Sequence, residues 1–149
     1  MDDTDKKILR RLQVDASQPL ERLAQTIGLS KTSVWNRIQK MRDEGLIKAQ
    51  VMLVDPDRAG FPETFFIAVR TDQHNADWLS RFAKAIDEMP EITEAHRMAG
   101  DVDYLLKVQV ADTRAFDAFY KRLVARVELH SVTSMLSMER IKSGPALPL

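Results

Sequence analysis

The sequence predicts an α+β chain, with an N-terminal three-helix unit followed by a C-terminal βαββαβ domain of the ferredoxin-like kind. Three observations predict it. Apolar residues recur at helical spacing through the first 48 positions. After Gly45 the period becomes strand-like, and a turn-rich stretch with Pro56 and Pro62 intervenes. The second half then runs strand, helix, strand, strand, helix, strand. At 149 residues the chain has length for one or two compact domains.

The elements follow in order. Ile8, Leu9 and Leu12 mark a first helix behind the capping-competent Asp2, Asp3 and Thr4. Pro19 suits the first position of a second helix, whose stripe is Leu20, Leu23, Ala24 and Ile27. Gly28 ends it, Ser30 caps a third helix with Val34, Ile38 and Met41 inward, and Gly45 stops that helix. LIKAQVMLV (46–54) reads as a strand or connecting arm. The domains are therefore placed at 1–48, a strand and linker at 49–62, and a second domain at 63–149. In that domain strands are expected at 64–71, 92–98, 103–110 and 131–141. Between them lie helices from about Ala76 to Met89 (stripe Leu79, Phe82, Ala83, Ile86) and from Thr113 to Arg126 (stripe Phe116, Phe119, Tyr120, Leu123). One sheet face would be left apolar, with Phe66, Leu105 and Met135 on it, and such a face is expected to pair.

Composition excludes several classes. The 22 basic and 22 acidic residues cancel, so the chain is neither a basic tail nor an acidic solvating segment. With no cysteine there is no disulfide, thiolate nucleophile or Cys-ligated zinc. The opening MDDTDKKILR is charged and no apolar run approaches a membrane span, so a soluble, cytoplasmic protein without a membrane role is expected. His74, His96 and His130 lie far apart, without the i, i+4 spacing of a metal pair. No dinucleotide or phosphate-loop motif and no catalytic triad is present, so neither metal, cofactor nor catalytic residues are assigned.

The segment LERLAQTIGLSKTSVWNRIQKM (20–41) has the spacing of a DNA-reading helix-turn-helix. Its inward stripe leaves Thr32, Ser33, Trp35, Asn36, Arg37 and Lys40 outward. Ser30, Lys31 and Thr32 stand at the helix start, where free amides and the helix dipole favour phosphate. Asn36, Arg37 and Lys40 can reach base edges or phosphates. A helical hairpin with a polar outer face would carry a similar pattern, and Trp35 suits a sugar contact or a partner subunit equally. Local charge is only modestly basic over 31–48, so spacing carries the reading.

Taken together, DDTDKKILRRLQVDAS, LAQTIGLSKTSVWNRIQKMRDEGLI, HRMAGDVDYLLKVQV and the ending MERIKSGPALPL resemble the leucine-responsive/asparagine-responsive (Lrp/AsnC, feast/famine) regulators. The resemblance covers nearly the whole chain in family order. It implies a winged-type helix-turn-helix on double-stranded operator DNA, joined to a sensing domain that builds homodimers and then tetramers or octamers. It also implies an amino-acid effector.

On that resemblance the turn Ala99-Gly100-Asp101-Val102 becomes an effector contact. Gly100 would let turn amides approach a carboxylate, and Asp103 would pair with the ammonium group. The same residues can equally form an ordinary tight hairpin, with Asp103 on a boundary arginine such as Arg97. Ser134 stands where the family often has threonine. The sequence departs from the family at Val132, and at ARVEL (125–129) where a Pro-Gly turn is usual. Two alternatives share the architecture: a tetrapyrrole decarboxylase-like enzyme with an idle helix-turn-helix, and a nucleoid-like architectural protein without an effector.

Overall fold

The computed structural model describes residues 1–144 and 146–149, and they form two compact units. The first comprises Met1–Leu53 with Ile141–Leu149, the second Val54–Arg140. The chain therefore crosses between units twice. Ile141–Leu149 group with the first unit, whereas the sequence reading places them at the end of the domain 63–149.

The first unit contains α1 (Asp3–Val14), α2 (Leu20–Ile27) and α3 (Lys31–Asp43). α1 begins with a reciprocal capping box: the Asp5 amide donates to Asp2 at 2.8 Å and the Asp2 amide to Asp5 at 2.9 Å. Pro19 sits one place before α2 as its cap, not inside it. Gly28 ends that helix at φ +78°, a left-handed conformation that glycine adopts without strain. Ile8, Leu23, Val34 and Met41 are almost wholly buried in the shared core. None of these short helices would persist alone, and the common core makes each stable.

Residues 46–54 form no strand. Their alternation is strand-competent, but a strand needs a hydrogen-bonding neighbour, and none pairs with them among the described residues. Val51, Met52 and Leu53 consequently stand 74%, 90% and 72% exposed. The three helices of the expected winged motif are thus realised without a strand after α3.

The second unit contains β1 (Glu63–Arg70), α4 (Ala76–Asp87), β2 (Ile92–Arg97), β3 (Tyr104–Val110), α5 (Thr113–Arg126) and β4 (Ser131–Leu136). The sheet is antiparallel in the order β2-β3-β1-β4. Phe65, Ile67 and Val69 alternate inward on β1, as do Leu106, Val108 and Val110 on β3. They pack against Trp78, Phe82, Phe119 and Leu123 of the helices.

Two elements differ from expectation. β4 stops at Leu136 and does not reach 141. The buried stripe of α4 is Trp78, Phe82 and Ala85, continued by Met89 just beyond its end, while Leu79 is 43% exposed. Trp78 turns the helix: its ring stacks on Phe82 and its Nε1 donates to the Glu128 carbonyl at 2.8 Å, so the largest side chain is buried with its polar atom satisfied.

Candidate DNA-reading surface and effector turn

α3 is set by its cap and its core. The Ser30 hydroxyl accepts the Ser33 amide at 3.2 Å, which leaves the Lys31 and Thr32 amides as the open donors of a helix start. Burial of Val34, Ile38 and Met41 turns Thr32, Trp35, Asn36 and Lys40 to solvent, with Trp35 51% exposed and Ser33 half-buried. On this surface, of the residues read as outward, Ser33 and Arg37 are the two that are half-buried.

Its cations are nevertheless already engaged. Arg37 Nη1 lies 2.7 Å from both Asp2 Oδ2 and Asp5 Oδ1, so the guanidinium clasps the N-terminus of α1. Arg37 was expected to project freely toward a groove. The structure instead gives it two carboxylates, because the α1 capping box places both beside the second turn of α3. Each member of the capping box holds the other's carboxyl below the usual 3.8 through its backbone N–H, and Arg37 lowers both further. The two carboxylates in turn raise Arg37. Lys31 pairs with Glu21 of α2, lowering that carboxyl, and Lys40 stands 3.8 Å from Glu44. Sequence reasoning missed Asp2, Asp5 and Glu21 as partners; it read Asp2, Asp3 and Thr4 as a capping-competent start and did not foresee the clasp.

The second site is the turn between β2 and β3. Met98 N–H donates to the Asp103 carbonyl at 2.8 Å and closes it. Gly100 adopts φ +133°, outside the range of ordinary side chains. Ala99 and Asp101 are exposed, and Val102 is half-buried. Asp103 is not the free acid expected for an ammonium group. Its Oδ2 accepts the Thr71 N–H at 2.8 Å, its own N–H donates to the Val69 carbonyl at 3.0 Å, and Thr71 is 7% exposed. The carboxylate thus caps the end of β1, and Arg97 is not its partner among the described ion pairs. Ser134 is exposed on β4, opposite Ile67 of β1. β1 separates it from β3, so Ser134 lies two strand spacings, about 10 Å, across the sheet from Leu106, and the turn lies three residues back along the chain from Leu106, at Asp103. One chain does not bring them together.

His96 lies 3.6 Å from Glu94, and His130 4.0 Å from Asp72, both on the surface. Among the described residues no three His, Cys, Asp or Glu side chains gather as a metal site, and no helix is long and apolar enough to cross a membrane.

Comparison with known proteins agrees with this layout. Residues 1–42 match the AsnC-type helix-turn-helix domain, and residues 64–147 match the Lrp/AsnC ligand binding domain. The glutamate uptake regulatory protein of Zymomonas mobilis is 44% identical over 149 residues, spanning 100% of this chain and 91% of that protein. The DNA-binding transcriptional activator DecR of Escherichia coli is 41% identical over 150 residues, spanning 100% and 99%. A crystal structure of an AsnC family transcriptional regulator from Agrobacterium tumefaciens superposes with a TM-score of 0.96 at 47% identity, covering 99% of this chain and 97% of that one. A transcriptional regulator from Neisseria meningitidis, solved with L-methionine, superposes at 0.94 with 26% identity, covering 99% and 96%. With both domain models matched in order and relatives above 40% identity along its whole length, the chain belongs to the Lrp/AsnC family of DNA-binding transcriptional regulators.

Proposed function

We propose that this regulator binds operator DNA through α3 as a homodimer and that an amino acid bound by the second unit changes its assembly. The observation that carries the reading is the exposed face of α3, where an open helix start and the side chains of Asn36 and Lys40 lie on a helix held rigid by its core. Open amides and a helix dipole take phosphate, and the amide of Asn36 has the donor–acceptor pair that reads adenine. Ser30, Lys31, Thr32, Ser33 and Trp35 complete the surface. Arg37 contributes from its clasp by orienting α3, and reaches DNA only by exchanging a carboxylate for a phosphate.

Assembly is supported by the uncovered sheet face. Phe66 stands between Lys107 and Met135 in register, and Leu105 shares the face with Ala68 and Thr133. Met135 is 47% exposed. A second copy covering this face would bury it, and the unpaired 46–54 arm offers a free edge to the same partner. Further association into tetramers or octamers would bring Ser134 of one chain near the 99–103 turn of another, which a single chain cannot do. A homologue solved with L-methionine supports an amino acid as ligand class. The turn amides around Gly100 would receive its carboxylate. Such a ligand shifts assembly only through unequal affinity for the two states.

The reading places the protein in the cytoplasm, without catalytic activity. Fluorescence anisotropy on duplex DNA from upstream of its own gene, repeated with each of the twenty amino acids, tests it. Specific binding altered by one or a few amino acids is expected. Binding insensitive to all twenty would favour an architectural protein, and tetrapyrrole turnover without DNA binding would favour the enzyme.

A further inference from the structure

We propose that the C-terminal half of α1 is a docking site for the chain's own residues 146–149, and that the docked tail braces the DNA-binding unit. The contacts are specific in kind. Gln13 reads the backbone of Leu147 at both ends of its amide: the Leu147 N–H donates to Oε1 at 2.6 Å, and Nε2 donates to the Leu147 carbonyl at 3.3 Å. Arg10, one turn earlier on the same face, donates from Nε to the Leu149 carbonyl. The Leu149 N–H closes back on the Leu147 carbonyl at 2.9 Å, a tight turn whose central residue is Pro148. Proline's fixed φ suits that turn and lowers the entropy lost on docking. The turn carries Leu149 onto the helical core, where it packs half-buried, while Leu147 stays 66% exposed. A two-point amide contact pairs with any backbone, so selectivity lies in the apolar Leu149 and the preset bend.

The consequence follows from where α1 is held. Its first turn is clasped by Arg37 of α3, and its last turns by the tail, which continues the chain beyond β4. Releasing the tail removes one of the two restraints on the helix that orients α3. This role in DNA binding rests on the regulator reading above; the docking itself does not.

Amide hydrogen exchange on the full-length protein tests the docking. The Leu147 amide should exchange at least about tenfold more slowly than in an unstructured peptide, and Gln13→Ala should abolish that protection. Exchange at the free-peptide rate, or protection that survives Gln13→Ala, overturns the proposal. Mixing Gln13→Ala protein with protein lacking 146–149 separates one chain from two, since protection regained in the mixture would mean docking onto a second copy and would overturn the same-chain assignment. Deleting 146–149 should also lower the unfolding midpoint of the first unit, read by Trp35 fluorescence, and weaken duplex binding severalfold. An unchanged midpoint overturns the bracing role. Wild-type protein that fails to bind any duplex, with Leu147 still protected, would sink the regulator reading and leave the docking intact.

Discussion

Replacing Asp103 by alanine should destabilise the second unit whether or not a ligand is present. The Asp103 carboxylate accepts the Thr71 N–H at 2.8 Å, and Thr71 is almost wholly buried. Removing the acceptor leaves a buried amide unpaired, which costs about 1–3 kcal/mol. In a unit of this size each kcal/mol shifts the midpoint by about 4–8 °C. Asp103→Asn keeps an oxygen acceptor for Thr71 and loses only the charge, so its cost should stay below about 1 kcal/mol. The assay is thermal unfolding in a Trp35→Phe background, where buried Trp78 reports the second unit alone. Amino-acid-induced shifts measured on the same variants then separate structure from recognition. An alanine variant with an unchanged midpoint but no ligand shift would refute the reasoning, because it would make the carboxylate a ligand group and the Thr71 bond incidental.

Four further outcomes are expected. Asn36→Ala should weaken operator binding by about 1–3 kcal/mol if its amide meets a base edge, while Lys40→Ala should lower the salt slope by about 1, both read by anisotropy titrations across salt. Arg37→Ala should lower both DNA affinity and the first unit's melting midpoint, whereas a free groove-reading arginine would change affinity alone. Asp2 and Asp5 have folded-state values below 3.8, so their stabilisation is complete above that pH and is lost as pH falls through the depressed values. Trp35-monitored stability should therefore hold from neutrality to about pH 5 and drop below about pH 4, with Asp5→Asn flattening the drop. Phe66→Glu or Met135→Glu should shrink the assembly by light scattering, and an unchanged mass would move the interface off the sheet face.

The helices and most strands were legible because their signals are local. Val34, Ile38 and Met41 repeat every three or four residues, and Ile67 and Leu106 sit in runs of period two. What was hidden depends on neighbours far along the chain. Arg37 stands 35 and 32 residues from Asp2 and Asp5, and no periodicity connects an N-terminal cap to the second turn of α3. Asp103 meets Thr71 across 32 residues because β3 lies beside β1, a pairing known only once the sheet order is known. Trp78 escaped for a different reason. The α4 stripe beginning at Leu79 was equally regular, and the contacts that turn Trp78 inward, with Phe82, Tyr104 and the Glu128 carbonyl, are visible only in the fold. The arm 46–54 shows the converse: its alternation suits a strand, and no strand among the described residues pairs with it.

The paired cations of the first unit bear on how it can recognise DNA at all. Lys31, Arg37 and Lys40 each have a carboxylate within 4 Å, so a phosphate must compete with a partner already in place. Counterion release still favours the exchange, but each contact gains less than it would from a free cation, and the local excess of positive charge is small. One unit on one half-site is therefore a weak binder. Two units linked through the second domain convert the next contact into an intramolecular one, and affinity then rises through effective concentration without any new contact. Anything that changes the spacing of the two α3 helices acts on that gain directly. On the proposed reading, in which a homodimer pairs through the sheet face and takes its ligand at the 99–103 turn, the assembly state would be the quantity that DNA binding reads.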